Sequence, residues 1–235
     1  MKDNGIRKYL KTEAENEKKK MADMTGREKA DYIWTYYKIH ILVILLLIAI
    51  LIGIGQTIYR MSFHEAIGIM VVNEKSGSSD EKRQEWEKEL RETLNLGKKD
   101  LVEIDSGITL ASGDQFTEYD YAGYAKFSAL VASKSVDVIL CDKKALERYS
   151  SEDAWMDLSS FLPEDLYGKI KAAGNVESLT GTDGSTIPCA VKLDPVKLKA
   201  VSGIEFDEPY IAVFKSVTRQ EKTQEFMKYL LEKAM

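Results

Sequence analysis

The chain has 235 residues, with 33 Lys and Arg against 38 Asp and Glu, two histidines and two cysteines. A net charge of −5 with no large basic block argues against a nucleic-acid partner. So few His and Cys leave no histidine-rich metal site or His-based triad, and no Walker loop, dinucleotide fingerprint or calcium loop occurs, so neither a metal nor a cofactor is expected.

Residues 1–24 are densely charged and poor in large apolar side chains, which reads as disorder or a frayed, solvated helix. Thr25-Gly26-Arg27-Glu28 writes a capping box, and Ala30, Ile33, Trp34 and Tyr37 follow at i, i+3, i+4, i+7, the spacing of an amphipathic helix. From Ile39 to Ile58, twenty residues run without a charge. At about 1.5 Å of rise each, they reach roughly 30 Å, the thickness of a bilayer's hydrocarbon core. Trp34, Tyr37 and Lys38 on one side, with Tyr59 and Arg60 on the other, are residue types that settle at headgroup level. A cleavable signal peptide would have a shorter apolar stretch followed by a small-x-small site. Here Gly53-Ile54-Gly55 lies inside the stretch. The segment reads as an uncleaved, single-pass signal anchor in contact with the lipid bilayer.

Residues 1–38 carry ten Lys and Arg, whereas only Arg60 and Lys75 precede Lys82 on the far side. The positive-inside rule then places the N-terminus in the cytoplasm and the C-terminal domain outside the cell. Three regions are expected: a charged cytoplasmic tail over 1–38 with a juxtamembrane helix, a transmembrane helix over 39–59, and an extracytoplasmic domain over 60–235. That domain is acidic, with 22 Lys and Arg against 31 Asp and Glu over 61–235.

Within it, Ala66 to Val72 has the apolar run of a buried strand. Ser76-Gly77-Ser78-Ser79-Asp80 reads as a turn that caps a helix from about Glu81 to Leu94, where Trp86, Leu90 and Leu94 form a stripe. Leu101 to Asp105 is a second strand. Tyr119 to Ser133 is a helix, and Val136 to Cys141 a third strand. A short helix over Lys144 to Tyr149 and a helical piece over Pro163 to Ala172 come next, then a Gly/Asn/Thr/Ser loop over Gly174 to Ser185. Ile187 to Leu193 and Tyr210 to Phe214 are strands, and Arg219 to Lys233 is a closing helix. Alternation of strands and helices predicts an α/β domain of three layers with a mainly parallel sheet of about five strands.

Four segments give this domain a resemblance. Tyr124 to Ser133 followed by Val136-Asp137-Val138-Ile139, Asp157-Leu158-Ser159-Ser160-Phe161-Leu162-Pro163, Thr186-Ile187-Pro188-Cys189-Ala190-Val191, and Tyr210 to Lys215 with the helix after it occur in the order found in bacterial extracellular solute-binding proteins of ABC transporters, the sugar-binding type above all. The domain is similar to one lobe of that family. The resemblance implies a periplasmic-binding-protein-like lobe over roughly Ile67 to Glu232. In the family a whole second lobe lies between crossover and return strands, whereas here Lys192 to Glu208 alone separates them. Seventeen residues are too few for a lobe with its own core. The ligand-closing clamp is therefore expected to be absent.

The chemistry-bearing residues are few. Cys141 and Cys189 are either a disulfide, as an oxidising compartment allows, or two small buried hydrophobes. The pairs Glu103/Asp105, Glu118/Asp120 and Glu152/Asp153 read as solvated edges more readily than as a glycosidase-like acid pair. Asp114 to Tyr124 is denser, with one Phe, three Tyr and three acids. It should lie at the carboxyl edge of the parallel strands, where open α/β sheets bind ligands. Phe116, Tyr119, Asp120 and Tyr121 are the candidate ligand- or partner-binding residues. The competing reading has Phe116 and Tyr121 plugging the core while the acids cap a helix start.

Three functions fit. The first is a non-catalytic, membrane-anchored accessory module that contacts a protein such as a transporter or envelope complex. The second is a binding protein with weak affinity for a small solute, sugar or peptide, and the third and most remote is a hydrolase on the same scaffold.

Overall fold

The computed structural model describes residues 3–22, 24–75, 78–110, 118–149, 154–181 and 184–235. By internal contacts the chain divides into two units, Met1–Ser62 and Phe63–Met235.

The first unit is helical. The charged start forms α1 (Asp3–Ala22), and its described side chains are almost all exposed. α2 (Gly26–Met61) begins at the expected capping box. The Thr25 backbone N–H donates to Glu28 Oε2 at 2.8 Å, and the Glu28 N–H donates to Thr25 Oγ1 at 3.5 Å. The hydroxyl of Thr57, inside the apolar stretch, donates to the Gly53 carbonyl at 2.9 Å and so brings no unpaired polar group into it. α2 is long and apolar enough to cross a membrane or to serve as a signal sequence, and its most apolar window is wholly uncovered.

The second unit is a six-stranded mixed sheet with helices. Its elements in chain order are β1 (His64–Val72), α3 (Asp80–Thr93), β2 (Asp100–Ile108), α4 (Glu118–Ala132), β3 (Val138–Cys141), α5 (Lys143–Arg148), α6 (Leu158–Phe161), α7 (Glu164–Ala172), β4 (Val176–Thr180), β5 (Thr186–Lys192), α8 (Pro195–Ser202), β6 (Tyr210–Val213) and α9 (Gln220–Ala234). Strand order is β2-β1-β3-β6-β5-β4. The pairings of β1 with β2 and β3 are parallel, and those of β6 with β3, β5 with β6 and β4 with β5 are antiparallel. The sheet thus has a parallel half, as expected, and an antiparallel half. The sixth strand is β4, which forms within the segment expected to be loop. The short bridge after Lys192 folds as α8, with Asp194 capping it through the Val196 and Lys197 N–H groups and Pro195 at its first position.

Alternation along the strands splits the apolar side chains between two cores. Ile67, Ile69, Val71, Val138, Leu140, Ile211 and Val213 join residues of α3, α6, α7, α8 and α9. Met70, Val72, Ile139, Cys141, Ala212 and Phe214 join residues of α4 and α5. Both cores are drawn entirely from the second unit.

One close approach and one buried ion pair lock the sheet. A Cβ on Gly68 would lie 1.9 Å from the Ser135 carbonyl oxygen, so only glycine lets β1 pass the start of β3. That approach lets the Gly68 N–H donate to Asp137 Oδ2 at 2.8 Å. Asp137 is fully buried, and Arg219, just before α9, donates to the same oxygen from Nε at 2.7 Å. Arg219 also reaches Glu65 at 3.3 Å and the Lys134 carbonyl at 3.2 Å.

Candidate functional site

The register draws one line of residues across the sheet: Ile108, Val72, Cys141, Tyr210 and Lys192 are successive partners. It marks the carboxyl ends of β1, β2, β3 and β5. β1 sends the chain to β2 on one side and has β3 on the other, which makes this edge a topological switch point, where open α/β sheets bind ligands.

Asn73 straps the edge. It sits in the left-handed region at φ 62°, which asparagine tolerates better than most residues. Its backbone N–H donates to the Ile108 carbonyl at 2.9 Å, its Nδ2 donates to Asp142 Oδ1 at 3.0 Å, and its Oδ1 accepts from the Leu110 N–H at 2.7 Å. Asp142 Oδ1 also accepts from the Ala145 N–H at 3.0 Å and caps α5. One side chain thereby ties the ends of β2, β1 and β3 together. Alongside it, Glu74 accepts from Arg83 at 2.8 Å and from the Gly107 N–H at 3.2 Å.

Further along the same edge lie charges of both signs. Lys143 pairs with Glu177 at 3.0 Å, and Lys192 pairs with Glu208 at 2.9 Å. The Lys192 ammonium stands 5.9 Å from the centre of the Tyr210 ring. The hydrogen bond that Lys143 donates to Glu177 raises its pKa, and the one that Lys192 donates to Glu208 raises that of Lys192 and lowers the carboxyl of Glu208. Each shift moves its group further from neutral pH. These side chains hold fixed charge and are poorly suited to proton transfer, which works best with a pKa near the working pH.

Below the edge, aromatic rings fasten α4 and α5 to the sheet. Phe127 stacks on Tyr149 with centroids 4.0 Å apart, Tyr149 meets Trp155 edge-on at 6.4 Å, and Trp155 lies 5.2 Å from Phe214. Tyr124, at the rim, has the Arg148 guanidinium 5.5 Å from its ring centre.

Of the residues singled out from sequence, Phe116 lies outside the described residues. Tyr119 and Asp120 fall in the first turn of α4, and their side chains are likewise outside the description. Tyr121 is 67% exposed, so it does not plug the core. Cys141 and Cys189 are both free and buried. β6 lies between their strands, and Lys192, not Cys189, is in line with Cys141 through Tyr210. A bridge would have to cross a whole strand, about 10 Å of sheet against the roughly 7 Å limit for two bridged Cα atoms. Burial raises both thiols, Cys189 to about 11. Trp34, Tyr37, Lys38, Tyr59 and Arg60 all lie on α2. Asn73, Asp142, Lys143, Glu177, Lys192 and Glu208 went unnoticed in the sequence because the register alone brings them to one edge.

A concavity of about 520 Å³ lies at the opposite edge of the sheet, lined by His64, Glu65, Asp100, Arg219 and Lys222 among others. Among the described residues no group of three or more His, Cys, Asp or Glu is arranged to hold a metal ion. Compared with protein-family models, curated proteins and solved structures, the chain matches none.

Proposed function

We propose that the chain is a membrane-anchored, non-catalytic accessory module in which α2 crosses the bilayer and the sheet unit, outside the cell, recognises a protein partner such as a transporter or envelope complex. The observation that carries this reading is that α2 gives no residue to either core. Thirteen large apolar side chains from Ile39 to Ile58 stand about half to two-thirds exposed. At about 1.5–3 kcal/mol per side chain, leaving them in water forgoes roughly 20–40 kcal/mol, more than the whole stability of a typical domain. A bilayer removes that penalty. The cationic excess of residues 1–38 supports a cytoplasmic N-terminus. Ser62 and Phe63 are the residues that join α2 to β1 in the chain.

The sheet unit is read here as a single three-layer lobe of the solute-binding-protein type. In support, β5 and β6, the counterparts of the crossover and return strands, pair directly with only α8 between them in the chain. The ion pairs Lys143–Glu177 and Lys192–Glu208 suit recognition of a charged partner. They also favour the second reading, a weak site for a small zwitterionic solute such as a peptide.

Two measurements test the proposal. Alkaline carbonate should leave the chain in the membrane pellet, and protease added outside intact cells should remove the sheet unit. A photo-crosslinking residue at Lys192 should then join one defined membrane protein, while the same residue at Gly168 on α7 should not. Release by carbonate refutes the anchor. Equal labelling from both positions, or stabilisation by a small peptide without any cross-linked protein, refutes the partner-binding edge.

A further inference from the structure

The concavity at the amino edge of the sheet is bordered by turns from separate parts of the chain. The His64 N–H donates to the Lys99 carbonyl at 2.9 Å, and Arg219 Nη2 donates to the Lys134 carbonyl at 3.2 Å. These bonds bring the turn before β2 and the turn before β3 to two residues that line the concavity. Lys134 holds the left-handed conformation at φ 56°, a position that suits Gly or Asn better than lysine. Lys98, Lys99 and Lys134 are exposed and have no ion-pair partner among the described residues. Of the acids lining the concavity, Glu65 is held by Arg219 at 3.3 Å and Asp100 accepts from the Gly97 N–H at 2.7 Å, which leaves Glu221. Unpaired lysines also occur on α7 and α9, at Lys169, Lys171 and Lys228. What sets the three at this edge apart is the chain: His64 opens β1 here, four residues after Arg60. Four residues reach about 14 Å at most, so an Arg60 at headgroup level leaves this edge within reach of lipid phosphates.

We propose that the amino edge of the sheet docks on the headgroups of an anionic bilayer, with Lys98, Lys99 and Lys134 as its contacts. The inference rests on the reading that α2 crosses that bilayer. Over 61–235 acids outnumber bases by 31 to 22, so an anionic surface repels the unit as a whole and favours an edge whose unpaired charges are mainly lysine. Each lysine near such a surface raises occupancy about fivefold, so three together favour the docked orientation by roughly a hundredfold. The attraction fades beyond a Debye length, about 10 Å at 0.1 M salt, which confines it to side chains at this edge. Docking here would leave the carboxyl edge, at the other end of the parallel strands, free for a protein partner.

The test uses the full chain in lipid nanodiscs that carry a nitroxide quencher on some headgroups. Cys141 and Cys189 are buried, so a fluorophore can be placed selectively on Gln220→Cys, which lines the concavity, or on Gly168→Cys in α7 as the reference. Replacing a third of the neutral lipid with phosphatidylglycerol should raise quenching at position 220 at least threefold and leave position 168 unchanged. Half-molar sodium chloride should reverse the gain. Lys98→Gln, Lys99→Gln and Lys134→Asn together should remove most of it, the asparagine being suited to the left-handed turn. Lys169→Gln, Lys171→Gln and Lys228→Gln, equal in charge change, should keep it. Equal quenching at position 220 in neutral and anionic discs, equal gains at 168 and 220, or equal losses from the two triple variants would each overturn the docking while leaving the anchor intact. A chain that does not enter the discs would overturn the anchor reading, and this inference with it.

Discussion

Arg219 offers the sharpest test of how the sheet unit is held together. Its Nε–H donates to Asp137 Oδ2, which also accepts from Gly68, and the Asp137 side chain is fully buried while Arg219 is 20% exposed. The other oxygen, Oδ1, is buried with no hydrogen-bond partner, so Asp137 has little else to compensate its charge. Arg219→Ala strands that carboxylate, and removing one member of a buried pair costs about 3–5 kcal/mol. For a domain of this size each kcal/mol moves Tm by roughly 2–4 °C, so the expected loss is about 6–20 °C. Asp137→Asn keeps an acceptor for Gly68, and the partly solvated Arg219 keeps Glu65 and the Lys134 carbonyl, so it should cost less, about 1–3 kcal/mol. The double variant should cost clearly less than the two losses added, because the stranded charge is gone. Urea unfolding of the full chain in micelles, followed by the fluorescence of buried Trp86 and Trp155, measures all three. An Arg219→Ala loss below about 1 kcal/mol, or single losses that add within about 0.5 kcal/mol, would refute the buried clamp.

Gly68→Ala should cost about 3 kcal/mol or more, because its Cβ meets backbone rather than a yielding side chain. Gly168→Ala, with open space around it inside α7, should instead stabilise by about 0.5–1 kcal/mol; the same urea titration checks both. Asn73→Ala loses two side-chain hydrogen bonds and puts alanine at φ 62°. It should cost about 2–3 kcal/mol, and Asn73→Gly roughly 1 kcal/mol less. Cys189 is the pH probe. Its thiol is raised to about 11 in the fold, so the folded state keeps a proton that the unfolded chain releases near pH 8.5. Stability from this group is full below about pH 8.5 and is lost as pH rises towards 11. Melting curves from pH 8 to 10.5 should fall less steeply for Cys189→Ala than for the parent, and identical slopes would contradict the burial of this thiol.

Where the sequence carries local periodicity, the fold was legible. β1, α3, β2, α4 and β3 fall within a few residues of expectation because each has a run or stripe of apolar side chains facing a core. β4 was missed because Val176 and Leu179 are its only large apolar residues and Gly, Asn, Thr and Ser surround them; pairing with β5, not propensity, makes it a strand. α8 was missed although Asp194-Pro195 is a legible helix start, a capping side chain followed by a proline at the first position.

The charged edge was not legible at all, and the reason is geometric. Lys143 and Glu177 are joined by the end of β3 meeting the start of β4 across β6 and β5. Lys192 and Glu208 are joined by the β5–β6 turn around α8. Neither pair has a local spacing to read, and a one-residue slip in any of the three antiparallel pairings would send alternate side chains to the other face. Tyr121 could be picked out because aromatics and acids cluster beside it in the chain, whereas Asn73 looks like any turn asparagine until its three hydrogen bonds are seen. Composition can point to a loop as a binding segment, but the edge that loop borders is built by register. A single slip between β5 and β6 would leave Tyr210 out of line with Lys192 and dissolve the edge without changing any local pattern in the sequence.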